Sequence, residues 1–170
     1  MMRAGYAIAA LLALLATTGP ALVRPRARLI WNATASVPIG LYFSRPSGKL
    51  QIGELVVVSP PHTLAKFLAG RHYLPEGVPM LKHILALPGQ TVCRKGRVVS
   101  VDGRAMGTAF TRDARGHPLP VWQGCERIPI GDVFLMNRKS ADSFDGRYFG
   151  LLPITTIAGR AEPVWTRQGP

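Results

Sequence analysis

This 170-residue chain encodes mainly β structure, laid out as antiparallel sheets with one short helix. Three features lead there. Gly and Pro supply 18 + 15 = 33 residues, high for a helical bundle and ordinary for a turn-rich β protein. The apolar runs beyond residue 28 are short and stop at Pro, Gly or Asp-Gly, as strands do. Only one stretch beyond residue 28 spaces its apolar residues as a helix would. A hydrophobic content of 47% excludes an extensively disordered chain, and the length favours one folded domain.

Residues 6–23, YAIAALLALLATTGPALV, carry no charge. As one continuous helix these 18 residues would span roughly 27 Å, close to the thickness of a bilayer core. Gly19-Pro20 ends the helix early, nearer signal-peptide length, and Arg3 with the amino terminus forms a positive n-region. The chain therefore divides into 1–28, an N-terminal hydrophobic signal or membrane anchor helix, and 29–170, an exported domain. Arg24, Arg26 and Arg28 follow the apolar segment, and the positive-inside rule would keep the domain inside. The signal-like character of the segment outweighs this and places the domain outside.

Within the exported domain, residues 40–43 form a strand after a turn. Residues 54–58 read as a buried strand stopped by Pro60-Pro61. Residues 63–70 put Leu64, Phe67 and Leu68 on one helical face, with Gly70 placed to cap the C-terminus. A second apolar strand covers 80–87 and ends at Pro88-Gly89. Residues 97–101 run into the turn Asp102-Gly103. Residues 132–136 and 157–165 complete the set. Cys93 and Cys125 fit an exported domain, where a bridge closing a loop of about 33 residues contributes roughly 3–4 kcal/mol in the chain-entropy model.

Charge narrows the partners. The net charge of +12 points to an anionic one, lipid headgroups or nucleic acid. Nucleic acid is not expected, because aromatic residues make up 8% and are scattered rather than interleaved with Lys and Arg. Two cysteines exclude a four-Cys zinc site, and none of His62, His72, His83 and His117 has a partner at metal-ligand spacing. No metal and no cofactor are expected.

Only five of the 21 basic residues are lysines: Lys49, Lys66, Lys82, Lys95 and Lys139. Arginine stays charged, whereas a buried lysine can lose its proton. Period-2 alternation in the strand puts Lys82 on the otherwise apolar face of Met80, Ile84 and Ala86, with His83 on the opposite face. A lysine on an edge strand snorkels to water; a desolvated one titrates nearer neutrality and can act as a general base toward a hydroxyl. Ser36 supplies a hydroxyl on a bend stiffened by Pro38. The polar loop 136–150 supplies Ser143, placed to orient the Lys82 amine, and Asp145 with Arg147, placed to lock the loop. No G-x-S-x-G nucleophile elbow occurs.

In order, Ser36-Val37-Pro38, Gly53-Glu54-Leu55-Val56-Val57, the run 82–90 (KHILALPGQ) and the run 143–150 (SFDGRYFG) resemble the type I signal peptidases, the Ser/Lys-dyad family. The resemblance covers about residues 32–153. The run 36–42 (SVPIGLY) and the short chain are more similar to the conjugal-transfer, TraF-type branch than to the housekeeping enzymes. Two departures stand out: Gly146 where the family often has Ser, and Asn137-Arg138 without the usual preceding Gly-Asp.

The resemblance implies the signal-peptidase catalytic fold and a membrane-associated serine endopeptidase at the periplasmic face of the inner membrane. Ser36 is its nucleophile and Lys82 its general base. The Ser36 N–H and the Thr34 hydroxyl are the oxyanion donors. Ser143, Asp145 and Arg147 are supporting residues. The substrate is a membrane-tethered preprotein or prepilin, cleaved or cyclised through an acyl-enzyme. A non-enzymatic exported β scaffold of a pilus or secretion apparatus explains the signal, the basicity and the bridge without chemistry.

Overall fold

The computed structural model describes residues 29–167, together with Gly5, Tyr6, Ile8 and residues 10–14. Those N-terminal residues are helical and exposed. The remainder of the expected signal or anchor helix in 1–28 lies outside the described residues. Among the described residues, no helix is long and apolar enough to cross a membrane.

Among the described residues, eleven strands make two antiparallel sheets. The strands are β1 Leu29–Asn32, β2 Ile39–Arg45, β3 Leu55–Val58, β4 Met80–Ala86, β5 Thr91–Lys95, β6 Val98–Val101, β7 Arg104–Thr108, β8 Gly124–Arg127, β9 Asp132–Leu135, β10 Leu151–Pro153 and β11 Ile157–Arg167. The larger sheet has seven strands in the order β1-β2-β11-β3-β4-β9-β10; the smaller has four, β7-β6-β5-β8. This is the mainly β, antiparallel architecture expected from the sequence.

The strands form where apolar side chains can be buried on the sheet faces. β3 (LVVV) and β4 (MLKHILA) are buried on both faces, which is why each reads as a near-continuous apolar run. Met80 and Ile84 pack with Val56, Val133 and Leu135 in one cluster, whereas Leu81 packs on the other face with Val57, Tyr42 and Val37. The register slips between Ile84 and Ala86, and this β-bulge turns the strand. Ala86 therefore packs with Leu85, Phe134 and Met136 in a cluster that joins the two sheets, not with Met80 as strict alternation predicts. The Asp102-Gly103 turn closes the β6–β7 hairpin with φ of 48° and 79°, the left-handed pair such a tight turn requires.

The helix His62–Gly70 buries Leu68, packs Leu64 against the first cluster and sets Phe67 against Tyr73 and Phe144. Gly70 stays inside it; Arg71 is the capping residue, and the left-handed conformation falls on His72 at φ 56°. The Arg71 and His72 N–H groups close onto Phe67 O and Ala69 O, so the chain turns two residues later than a glycine cap would turn it.

Cys93 and Cys125 face each other across β5 and β8 and are bridged. The bridge pins β8, an edge strand whose four residues are all exposed. The double variant Cys93→Ala/Cys125→Ala is expected to lose about 3–4 kcal/mol of unfolding free energy, measured by chemical denaturation.

Candidate active site

Lys82 lies on β4 opposite Val56 of β3 and is 5% exposed. It does not snorkel: Nζ donates to Ser143 Oγ at 2.8 Å inside the protein. Burial pushes the Lys82 pKa down from 10.5 to about 8; the charge of Asp145 opposes this and that of Arg147 adds to it. The expected pairing of Ser143 with Lys82 is present.

Asp145 and Arg147 hold Ser143 in place. Both are buried, and their ion pair is doubled: Arg147 Nε donates to Asp145 Oδ1 and Nη2 to Oδ2, each at 2.8 Å. The Asp145 carboxylate also accepts the N–H of Arg147 and so caps the short helix Gly146–Phe149. Arg147 then reaches back along the loop, donating to Ser140 O, Ala141 O and Ser143 O. A charge this deep is tolerable because every carboxylate and guanidinium atom in the pair finds a partner. Phe144 anchors the same loop, stacked on Tyr148 at 5.2 Å and on Phe67 at 5.4 Å.

Ser36 lies in the loop between β1 and β2, half-buried. Its Oγ is 3.1 Å from Thr34 Oγ1. Thr34 Oγ1 in turn donates to Asn32 Oδ1 at 3.0 Å. Since that bond uses the only threonine hydroxyl hydrogen, Ser36 is the donor to Thr34 in this conformation. The threonine becomes free to donate to an oxyanion only after it exchanges Asn32 for that partner. Among the described residues no direct hydrogen bond joins Ser36 to Lys82. Their chain neighbours Val37 and Leu81 belong to one buried cluster with Ile30, Tyr42, Val57 and Ala161.

Four contributors have no role assigned from the sequence. Asn32 is buried, and its Nδ2 donates to the carbonyls of Thr34, Val37 and Pro38, shaping the Ser36 loop. Tyr42 donates its hydroxyl to the same Pro38 carbonyl at 2.6 Å. Asn137 is buried behind Ser143, and its backbone N–H donates to Asp145 Oδ2 at 3.0 Å. Arg94 of β5 is 1% exposed and donates to Arg147 O, tying the smaller sheet to the loop. An Asn just before a turn and an Arg alternating with Val92 on a strand are the only signals these residues leave, and both are common.

The unusual glycine has a steric reason. A Cβ on Gly146 would meet Leu135 O and Phe134 Cε2, each at 2.7 Å, and the first is backbone that cannot turn aside. The short helix is thus pressed onto β9 too closely for the serine often found there.

The family model for signal peptidase, peptidase S26, matches residues 1–166. This chain belongs to the signal peptidase S26 family. A conjugal transfer protein TraF of Agrobacterium fabrum is 37% identical over 148 residues, covering 79% of this chain and 81% of that protein. A plasmid transfer protein TraF of Escherichia coli is 33% identical over 176 residues, 97% of this chain and 96% of that one. A probable signal peptidase of Synechocystis is 32% identical over 111 residues, 65% of this chain and 52% of that one. Homology to this family supports a serine peptidase.

Two expectations follow. Because the folded-state pKa of Lys82 is depressed, the unfolded chain binds more protons between pH 8 and 10.5, and stability rises with pH through that window. The unfolding free energy of wild type should gain about 3 kcal/mol relative to Lys82→Met from pH 8 to 10.5, followed by urea denaturation. Gly146→Ser should cost about 1–3 kcal/mol by overpacking, read as a lower Tm.

Proposed function

We propose that this signal peptidase family member is a membrane-associated serine endopeptidase that removes the pro-segment of an exported pilin in conjugation. Ser36 is the nucleophile and Lys82 the general base. The observation that carries the reading is the Lys82 amine, buried against Ser143 with a pKa of about 8, so that near neutrality a usable fraction is unprotonated. Family membership and the two TraF relatives support the reaction class and the setting.

The substrate backbone lies extended at the Ser36 loop. Ser36 turns its hydroxyl from Thr34 to the Lys82 lone pair, and as the proton passes to Nζ the oxygen bonds to the scissile carbonyl carbon. The Ser36 N–H and the freed Thr34 hydroxyl donate to the oxyanion. The C–N bond then breaks, and the Lys82 ammonium returns its proton to the leaving amine. An acyl-enzyme ester remains on Ser36, with the Lys82 amine neutral again. Water, or the amine at the substrate's own N-terminus, attacks that ester while Lys82 takes its proton. The bond from Ser36 Oγ to the acyl carbon then breaks and Lys82 returns the proton to Ser36 Oγ, giving a linear or a cyclic product and a free amine again.

The membrane side of the reading rests on the outer face of β1, β2 and β11. Trp31 and Trp165 stack there at 6.0 Å while 58% and 56% exposed, flanked by exposed Leu29 and Val164. Indole rings left in water beside aliphatic side chains suit the headgroup level of a bilayer, and the +12 charge suits anionic lipid. Ser36 lies in the loop of that same β1–β2 hairpin, and the apolar segment 6–23 leads into β1. The enzyme therefore works at the periplasmic face of the inner membrane on a membrane-tethered substrate.

Processing of a co-expressed prepilin tests the chemistry. Ser36→Ala should fall to background, and Lys82→Ala should lose about 10²–10⁴-fold. The wild-type rate should rise with pH through about 8, the Lys82 midpoint. Processing retained in either variant contradicts the dyad, and none by wild type leaves a scaffold. In bilayers containing brominated lipid, emission from Trp31 and Trp165 should be quenched and that from Trp122 spared, read from single Trp→Phe variants.

A further inference from the structure

Asn137 closes the ladder of β4 where β9 has ended. The last backbone bond runs from Met136 N–H to His83 O at 2.9 Å. Beyond it, the His83 N–H and the Leu81 carbonyl of β4 have no strand to pair with, and the Asn137 carboxamide takes both. Its Oδ1 accepts the His83 N–H at 3.0 Å, and its Nδ2 donates to Leu81 O at 3.1 Å. A backbone N–H only donates and a backbone carbonyl only accepts, so these contacts fix which way the amide points. Asn137 is 1% exposed, so water offers no alternative partner.

That orientation has a chemical result on the other side of the group. The second Nδ2 hydrogen faces Ser143 Oγ at 3.4 Å, the oxygen to which Lys82 Nζ donates at 2.8 Å. His83 Nδ1, 2.9 Å from Asn137 Oδ1, must carry a hydrogen to make its contact and so reinforces the same polarity. Two donors converge on one hydroxyl oxygen. An ammonium at Lys82 is served less well by an oxygen already receiving a hydrogen bond, whereas a neutral amine loses little.

Resting on the Ser36/Lys82 reading, we propose that Asn137 is a positioning residue whose fixed NH₂ end, aimed at Ser143 Oγ, biases the Lys82 amine toward its unprotonated, proton-accepting form. It touches no substrate and acts through Ser143. The charged groups facing the amine are Asp145, which favours the ammonium, and Arg147, which opposes it; His83 completes the titratable neighbours. Both charges are tied up in their own pair, which leaves the polarity of the uncharged neighbours a deciding part.

The test is the titration of Lys82 in the full-length protein in micelles, followed by NMR of ¹³C-lysine and assigned with Lys82→Met among only five lysines. Asn137→Asp, nearly identical in shape, points an acceptor at Ser143 and should raise the Lys82 midpoint by about 1 pH unit or more, a tenfold loss of free amine at pH 7. The pH–rate profile should move up by the same amount, with activity recovered at higher pH. Asn137→Ser removes the donor without adding charge and should shift the midpoint the same way, by less. It decides the matter alone if the aspartate variant fails to fold. An unmoved midpoint in the folded variants, or activity lost equally at every pH, overturns the proposal. Processing retained by Ser36→Ala would instead remove the dyad reading and leave a Lys82 shift standing.

Discussion

A primary amine enclosed by the protein needs an acceptor for its hydrogens and some relief from its charge, and the site is arranged around meeting both needs for Lys82. β3 flanks Lys82 with Val56, a residue with no measurable exposure. Ser143 is the acceptor. Its position depends on Arg147, whose guanidinium holds three carbonyls of the loop, and Arg147 is tolerable there because Asp145 neutralises it. Arg94 then clamps Arg147 O from the smaller sheet. That sheet supplies no proposed catalytic group, yet it bears directly on the site. Keeping a lysine in such a place costs stability at neutral pH, as is common where function needs a group out of its preferred environment.

Two buried asparagines play matching parts. Asn32 gathers three carbonyls of the Ser36 loop, and Asn137 takes over the β4 edge that β9 leaves. In each case a carboxamide replaces backbone pairing where a strand stops, and backbone groups of known polarity fix its orientation. Asn32 leaves its Oδ1 for Thr34, which makes Thr34 the acceptor of the Ser36 hydroxyl in this conformation. The proposed nucleophile is thus held on one hydroxyl and the proposed base on another, and in that reading substrate binding exchanges the first bond.

What the sequence made legible follows from range. Burial of β3 and β4 shows as apolar runs, the Asp102-Gly103 hairpin shows in its turn residues, and the Lys82 anomaly shows as one cation in such a run. Ser143, Asp145 and Arg147 were reached through family resemblance joined to a polar loop. Arg94 reads as an ordinary strand arginine because its partner is 53 residues away. The bulge in β4 follows from the register against β9, which no local pattern in β4 records, so Ala86 went to the wrong cluster. Gly70 looked like a helix cap because glycine often is one, but the chain found its left-handed turn at His72. Gly146 looked like a family departure until its contact with Leu135 O gave it a cause.

The central claim is that the Lys82 amine activates the Ser36 oxygen. Acylation of the intact protein by an electrophilic β-lactam, located by peptide mass spectrometry across pH, tests it most directly. The account predicts a single adduct on Ser36 whose rate of formation follows the ionisation of Lys82, with a midpoint of about 8, and which is absent in Lys82→Met. An adduct on another side chain, or Ser36 labelled equally well without the lysine, would contradict it.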